Sequence, residues 1–265
     1  MIFIREKIIG AAFIAFFATC VAMAQSVWSD GAGDQTWSTP GNWQGNAVPT
    51  SVTNVQIGTQ PTGDQIGVDT GSTTIASLAF NSSLTGASTI TGFQSSDTLT
   101  VNGAITNNSS ATQGFLLPIF AGASATWSGS LTYGSNVGIG ANQITLAGTN
   151  AFSGLNLNFD ITNTSTYGNF IVSGTATFTS NVHININSSY VFVGGETFDF
   201  TSGSFGSATI GTLPTLTAGL SWNTSSFISS GVLSVVSAIP EPSAYAAIFG
   251  AAAIGFGIWR KRRKA

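Results

Sequence analysis

LAGTNAFSG, residues 146–154, holds the pattern on which the fold turns. Leu146 and Phe152 are apolar, Gly148 and Gly154 interrupt the chain, and the residues between them alternate small polar with apolar side chains. So short an alternating run between glycines suits a strand with a tight corner on either side. NQITLAG leads into it and LNLNFDI follows, and TTIASLAF, TLTVNGAI, NFIVSGTATF and VHININ repeat the same texture. These runs recur every roughly ten to twenty residues with no helical period between them, as expected of an all-β chain. No exact internal repeat is present, so periodicity leaves two architectures open, a β-sandwich and a parallel β-solenoid. In a solenoid, Val, Ile, Leu and Phe would point inward and Asn and Thr would stack between coils. Glycine would allow the corners that a side chain blocks.

The charge distribution is as informative as the strand pattern. The basic residues are Arg5, Lys7, Arg260, Lys261, Arg262, Arg263 and Lys264, so residues 8–259 contain no Lys or Arg. The acids beyond the first few residues are Asp30, Asp34, Asp64, Asp69, Asp97, Asp160, Glu196, Asp199 and Glu241. Without its two ends the chain therefore changes from a net charge of -3 to nine acids and no base, or -9. A body without cations cannot neutralise phosphates, which argues against nucleic acid as a partner and against a basic lipid-binding patch. At 43% hydrophobic and 11% aromatic residues, it still has the material for a core, unlike a disordered chain.

Both ends read as address segments. Arg5 and Lys7 precede an apolar run from Ile8 to Val21, and Ala22 and Ala24 place small residues where a signal peptidase reads them. The expectation is a secretory signal peptide over residues 1–24, as an N-terminal signal helix, cleaved before Gln25. Cys20 is the single cysteine and lies within that segment, and Phe17 and Thr19 do not suit a lipidation site. The mature chain would have no thiol. At the other end an apolar stretch from about Ser243 to Trp259 is followed by Arg260, Lys261, Arg262, Arg263 and Lys264. Residue counting alone predicts a transmembrane helix with a cytoplasmic basic stop, placing the body on the opposite face.

Pro240-Glu241-Pro242, the apolar helix and the basic tail together resemble the PEP-CTERM sorting signal over residues 239–265. The resemblance implies processing by an exosortase, a membrane-embedded transpeptidase-like enzyme of Gram-negative bacteria whose genes often accompany those for exopolysaccharide. It also implies transient anchoring at the inner membrane and final placement on the outer surface or in the extracellular matrix. Further resemblances lie in the body, residues 25–238. Leu146, Gly148, Asn150, Phe152 and Gly154 are similar to one unit of the autotransporter-associated β-strand repeat, which implies a parallel β-solenoid. Trp37, Asn42, Trp43 and Pro49 resemble the opening module of such β-helical proteins, and LSWNTSSFISSGVLSVV, residues 220–236, resembles a closing strand pair. Trp28, Trp37 and Trp43 then have two readings, a cap over the first coil or an exposed sugar-stacking platform.

Catalytic chemistry finds little support in the sequence. His183 is the only histidine, and its neighbours Val182, Ile184 and Ile186 put it on the polar face of a strand. One histidine and no mature cysteine leave no usual zinc site, and no phosphate-binding glycine loop occurs. Carboxylates alone can run glycoside hydrolysis, for which Glu196 and Asp199, with Asp160 from another coil, are the candidates. Positions three apart on a strand face opposite sides, however. Asp30 with Asp34, and Asp64 with Asp69, lack the dense oxygen spacing of a calcium loop. The expectation is an exported all-β protein without cofactor or enzymatic activity, structural or adhesive in an exopolysaccharide layer. The alternative is a carbohydrate-binding protein or a β-helical glycoside hydrolase.

Overall fold

In the computed structural model, which describes residues 24–237 and 242–263, the chain winds into a three-sided parallel β-solenoid. The first sheet stacks Gln25–Trp28, Asn54–Ile57, Ser77–Phe80, Ile105–Asn107, Ala125–Ser128, Gln143–Leu146 and Asn169–Val172. The second stacks Gln65–Val68, Thr89–Gly92, Gln113–Phe115, Ser130–Tyr133, Thr149–Phe152 and Thr175–Phe178. The third stacks Ser72–Ile75, Thr98–Val101, Ile119–Ala121, Val137–Gly140, Asn156–Asn163, His183–Ser188 and Thr209–Ile210. Thr166–Tyr167 adds to the third sheet by antiparallel pairing with Asn156–Asn163. Each strand of the six-stranded second sheet follows one of the first and precedes one of the third, giving six complete coils. The in-line parallel pairing between successive coils on all three sides excludes the β-sandwich, whose neighbours would run antiparallel.

LAGTNAFSG is one corner and one strand of this winding. Leu146 ends a strand of the first sheet, Gly148 turns the corner, and Thr149–Phe152 enters the second. Gly148 has φ +76°, and a Cβ there would meet the carbonyl oxygen of Gly129 in the coil below at 2.5 Å. Gly174, in the next coil, would meet Gly148 as closely, so the corner is a column of glycines. Phe152 points inward, stacked on Tyr133 at 4.6 Å and on Phe178 at 4.8 Å, both with interplanar angles of 10°. Phe115 extends the ladder below Tyr133 at 5.5 Å. Each such pair contributes about 0.5–1.5 kcal/mol beyond the burial of the rings. The third sheet stacks aliphatic side chains instead, with Leu99, Ile119, Val137, Leu157, Ile184 and Ile210 in register.

A stack of coils would leave strand edges open at its two ends, where another chain could pair. At the leading end Trp28, Trp37 and Trp43 are buried, with ring contacts of 5.1 and 4.8 Å. The indole N–H of Trp43 donates to the Trp37 carbonyl at 2.7 Å. Of the two readings of these tryptophans, the cap holds and the sugar platform does not. At the trailing end Thr197–Asp199, Val232–Ser237 and Leu220–Asn223 form a small antiparallel sheet in that order. The closing strand pair expected over residues 220–236 is the pairing of Leu220–Asn223 with Val232–Ser237. A one-turn helix, α1 (Phe227–Ser230), sits between them, and Phe198, Phe200, Phe205 and Phe227 are all fully buried beneath.

The C-terminal expectation requires a correction. A helix, α2, does form over Pro242–Arg262, 21 residues long. Among the described residues, however, no helix is long and apolar enough to cross a membrane. The physical reason is dilution, since Ala and Gly make up nine of the 21 residues of α2. Its described side chains are all exposed, including Ile248, Phe249, Ile254, Phe256, Ile258 and Trp259. Residues 1–23 of the expected signal segment, Ala22 among them, lie outside the described residues, as do Pro240, Glu241 and Lys264.

Candidate functional site

The outer face of the third sheet is the part of the surface where polar side chains are brought together. Alternation along Asn156–Asn163 turns Leu157, Phe159 and Ile161 inward and Asn156, Asn158 and Asp160 outward. Along His183–Ser188 it turns Ile184 and Ile186 inward and His183, Asn185 and Asn187 outward. The two strands are in register, so each outward side chain lies over its counterpart, Asn158 over Asn185 and Asp160 over Asn187. The Asn185 amide donates to Asn158 Oδ1, and the Asn187 amide donates to Asp160 Oδ1, both at 3.1 Å. Asn185 Oδ1 in turn accepts from the Thr212 backbone N–H at 2.9 Å. Asn136 Oδ1 accepts from the Asn156 backbone N–H at 3.1 Å, so the ladder crosses four coils. The expected stacking of amides between coils is what the register produces.

Beside this ladder lies a cleft of about 410 Å³, lined by Asp160, Ile161, Thr162, Asn187, Ser188 and Ser189. Asp160 is its single carboxylate, and its other polar groups are one amide and three hydroxyls. Such a surface can exchange hydrogen bonds with a neutral, hydroxyl-bearing partner. Two carboxylates flanking one bond, which glycoside hydrolysis requires, are not assembled in this cleft. Glu196 lies in the turn before Thr197–Asp199, accepting from the Tyr190 hydroxyl at 2.6 Å and the Val193 N–H at 3.0 Å. That carboxylate holds the Tyr190 hydroxyl above its ordinary titration range. Asp199 is exposed on its strand, and its backbone N–H donates to Tyr167 Oη at 3.3 Å. His183 is exposed on the polar face as expected, with Nδ1 2.8 Å from Thr209 Oγ1.

The remaining acids serve the loops. Asp34 Oδ1 accepts from the Thr36 N–H at 3.1 Å, Thr36 Oγ1 at 2.9 Å and Asn42 Nδ2 at 2.5 Å, while Oδ2 accepts from Thr39 Oγ1 at 2.7 Å. These donors, with Thr39 foremost, outweigh partial desolvation and hold the carboxyl down at about 2. Asp97 is buried and caps a turn, accepting from the Gly71 N–H at 2.9 Å and the Gln94 N–H at 2.6 Å. Asp69 accepts from the Ser38 N–H and Asp64 from the Gln60 amide. Among the described residues, no group of three or more His, Cys, Asp or Glu side chains could hold a metal ion.

The address segments are only partly described. Ala24 is exposed and its carbonyl accepts from the Asn54 N–H at 2.8 Å, while Gln25 begins the first strand. A cut between them would therefore leave that strand intact from its first residue. Pro242 is the first residue of α2. Arg260, Arg262 and Arg263 are exposed, Lys261 lies in the last turn of α2, and the Arg263 guanidinium carbon sits 4.2 Å from the Trp259 ring centre. The amide ladder and its cleft were not among the expected site residues. The signal for them is the alternation in LNLNFDI and VHININ, which gives the outward residues but not the register that superposes them. No family model matches the sequence, and no curated protein or solved structure is significantly similar to it.

Proposed function

We propose that this chain is an exported structural or adhesive protein of an exopolysaccharide layer. It is addressed by Pro240-Glu241-Pro242, the apolar helix α2 and the run Arg260, Lys261, Arg262, Arg263 and Lys264. Signal peptidase removes residues 1–24, and an exosortase acts at the proline-flanked glutamate. Before that cut, α2 holds the protein at the inner membrane. Its exposed Ile, Phe and Trp side chains seek an apolar phase, and the cations after them are attracted to anionic headgroups. Afterwards the body resides on the outer surface or in the matrix, having lost all its Lys and Arg.

The observation that carries this reading is the contrast between α2 and the body. One is an exposed apolar helix beginning at Pro242. The other is a capped, cation-free solenoid that buries most of its apolar side chains, leaves Val52, Phe93, Leu116, Phe120, Ile171, Val191, Val193 and Val236 exposed, and presents amides and hydroxyls between them. By sequence, Pro242 disfavours helical conformation in the residue before it, which would suit presentation of the motif to a protease in extended form. Intact-mass measurement of the protein released by a host with the processing enzyme should give a species lacking both ends. An Arg-rich tail still attached in that host would refute the sorting route.

A second reading, binding of a neutral glycan, is favoured specifically by the ladder of Asn158, Asp160, Asn185 and Asn187 beside its cleft. On a glycan array, saturable binding that disappears with Asn185→Ala and Asn187→Ala would support it. Binding to no sugar leaves the scaffold role. A β-helical glycoside hydrolase receives less support, because Glu196 is tied into its own turn and Asp160 is the lone carboxylate of its cleft.

A further inference from the structure

The two ends of the solenoid leave the same sheet open. At the leading end the first sheet starts with Gln25–Trp28, which is covered by a bridge between Trp28 and Trp43. The second sheet is covered by a bridge from Thr36 to Gly67. The third sheet has no strand in that coil and begins one coil later, at Ser72–Ile75. Where its missing strand would lie, Val48 and Pro49 stand off and leave a groove of about 330 Å³. Gly71 and Ile75 spend their carbonyls on the neighbouring coil, accepting from the Thr98 and Asn102 N–H groups at 2.9 and 3.0 Å. Alternation along a parallel strand turns the peptide groups of Ser72 and Thr74 the other way, into the groove. Among the described residues, no strand pairs with it on that side. Trp37 forms part of the wall; it is 1% exposed, and its indole Nε1 has no hydrogen-bond partner.

At the trailing end the pattern repeats. The first sheet is covered where Phe170 donates to Phe200 O at 2.9 Å and accepts from the Ser202 N–H at 3.0 Å. The second is met by Ser207, whose N–H donates to Phe178 O at 3.3 Å. The third ends in the short strand Thr209–Ile210, followed by residues 211–219 without regular structure. Thr209 and Gly211 donate inward to Val182 O and Ile184 O, at 2.9 and 2.8 Å, so the peptide groups of Ile210 face outward. Neither the groove lining nor residues 208–217 include an ionisable side chain, so the two edges can meet without desolvating a charge.

We propose that the chain assembles head to tail, a second copy placing the trailing edge of its third sheet, around Thr209–Ile210, against Ser72–Ile75. The strand polarity is the same in both copies, so the two edges pair in parallel, and because Gln25–Trp28 and Thr36 already fill the other two sides at that level the copies meet at an angle. Such a contact joins two different surfaces, so it propagates from copy to copy into a filament unless the rotation between copies closes it into a ring. The assembly goes beyond the export route proposed above and does not depend on it.

Sedimentation of the full chain in mild detergent over a range of concentrations tests this, with Thr74→Pro and Thr74→Lys as variants. Proline removes an outward N–H that the existing ladder does not use, and lysine leaves the backbone intact but puts a charge at the edge. The wild type should form dimers and longer rods with concentration, visible by electron microscopy. Each variant should shift association to concentrations higher by about tenfold or more while keeping the wild-type circular dichroism. A wild type that stays monomeric, or variants of unchanged circular dichroism that associate as it does, would overturn the proposal. Association that detergent abolishes and Thr74→Lys leaves unchanged would assign the contact to α2, also against it. Intact mass on the same samples reports the processing state, so failure of the assembly and failure of the sorting route are separately visible.

Discussion

At its leading end the solenoid is closed by Trp28 of the first strand and by Trp37 and Trp43 of a loop tied to one carboxylate, at its trailing end by phenylalanines under a small antiparallel sheet. In the first, Asp34 gathers Thr36, Thr39 and Asn42, and the indole of Trp43 bonds to the backbone of Trp37. In the second, Phe200 and Phe205 contact Phe227 at 5.7 and 5.4 Å, and both reach Phe159 in Asn156–Asn163, the longest strand of the third sheet. The leading cap is polar at its hub and should respond to acid. The trailing cap is continuous with the aromatic core and should respond to loss of volume. A solenoid opens from its ends, so each cap sets the local stability of its nearest coils rather than of the whole.

The largest expected effect comes from emptying the trailing cap. Phe200→Ala removes a fully buried ring among four aromatic neighbours, Phe159, Tyr167, Phe198 and Phe227. It should cost about 3–5 kcal/mol. Hydrogen exchange should accelerate over residues 169–237 and leave residues 25–60 protected. Uniform acceleration along the chain would mean that the ends are not independent. Gly231→Ala is the smaller disturbance of the same cap. Gly231 closes α1 at φ +77°, and a Cβ would lie 2.6 Å from Thr201 Cγ2 and 2.8 Å from Thr201 N and O. The left-handed conformation alone costs a side chain about 1–3 kcal/mol, and the lowered melting temperature should report at least that.

At the leading end, Trp43→Phe keeps an aromatic ring between Trp28 and Trp37 but removes the donor to the Trp37 carbonyl. Leaving that buried acceptor unpaired should cost about 1–3 kcal/mol, with faster exchange confined to residues 25–60. If the trailing cap loosened instead, the two closures would be coupled through the stack.

The sequence made some of this visible and hid the rest for physical reasons. Three consecutive coils read WSGSLTY, LAGTNAF and VSGTATF, beginning at Trp127, Leu146 and Val172, which stack in register. They share an apolar residue, a corner glycine two positions on and an aromatic four after that. The spacing from Trp127 to Leu146 is 19 residues and from Leu146 to Val172 is 26, so no fixed period exists for a repeat search to find. Insertions at the other corners absorb the difference. The tryptophan cap was legible because a solenoid must bury its end, and the outward placement of His183 followed from its alternating neighbours. The amide ladder was half legible, since alternation gives the outward set while register depends on where the chain returns 27 residues later, as Asn158 with Asn185. The open edge at Ser72–Ile75 was invisible, because it depends on a segment that fails to pair. The C-terminal helix was legible as a helix but not as one too dilute in apolar residues to cross a membrane.

Acid should separate the two caps with the smallest perturbation. The Asp34 carboxyl titrates at about 2 when folded, against 3.8 for the unreacted side chain, because the folded loop supplies donors to its charged form. Its contribution to stability is therefore complete above about pH 4 and is lost as pH falls through about 2. The group is exposed, so solvent screening makes the effect small, and it is local to the loop. Exchange over residues 29–46 should accelerate between pH 4 and 2, while the phenylalanines beneath the trailing sheet stay protected. Asp34→Asn should raise exchange in that loop at pH 6, since the neutral amide accepts fewer hydrogen bonds, and should flatten the acid response. An acid response unchanged by Asp34→Asn would move the hub of the leading cap to another group, for which Asp69, accepting from the Ser38 N–H, is a candidate.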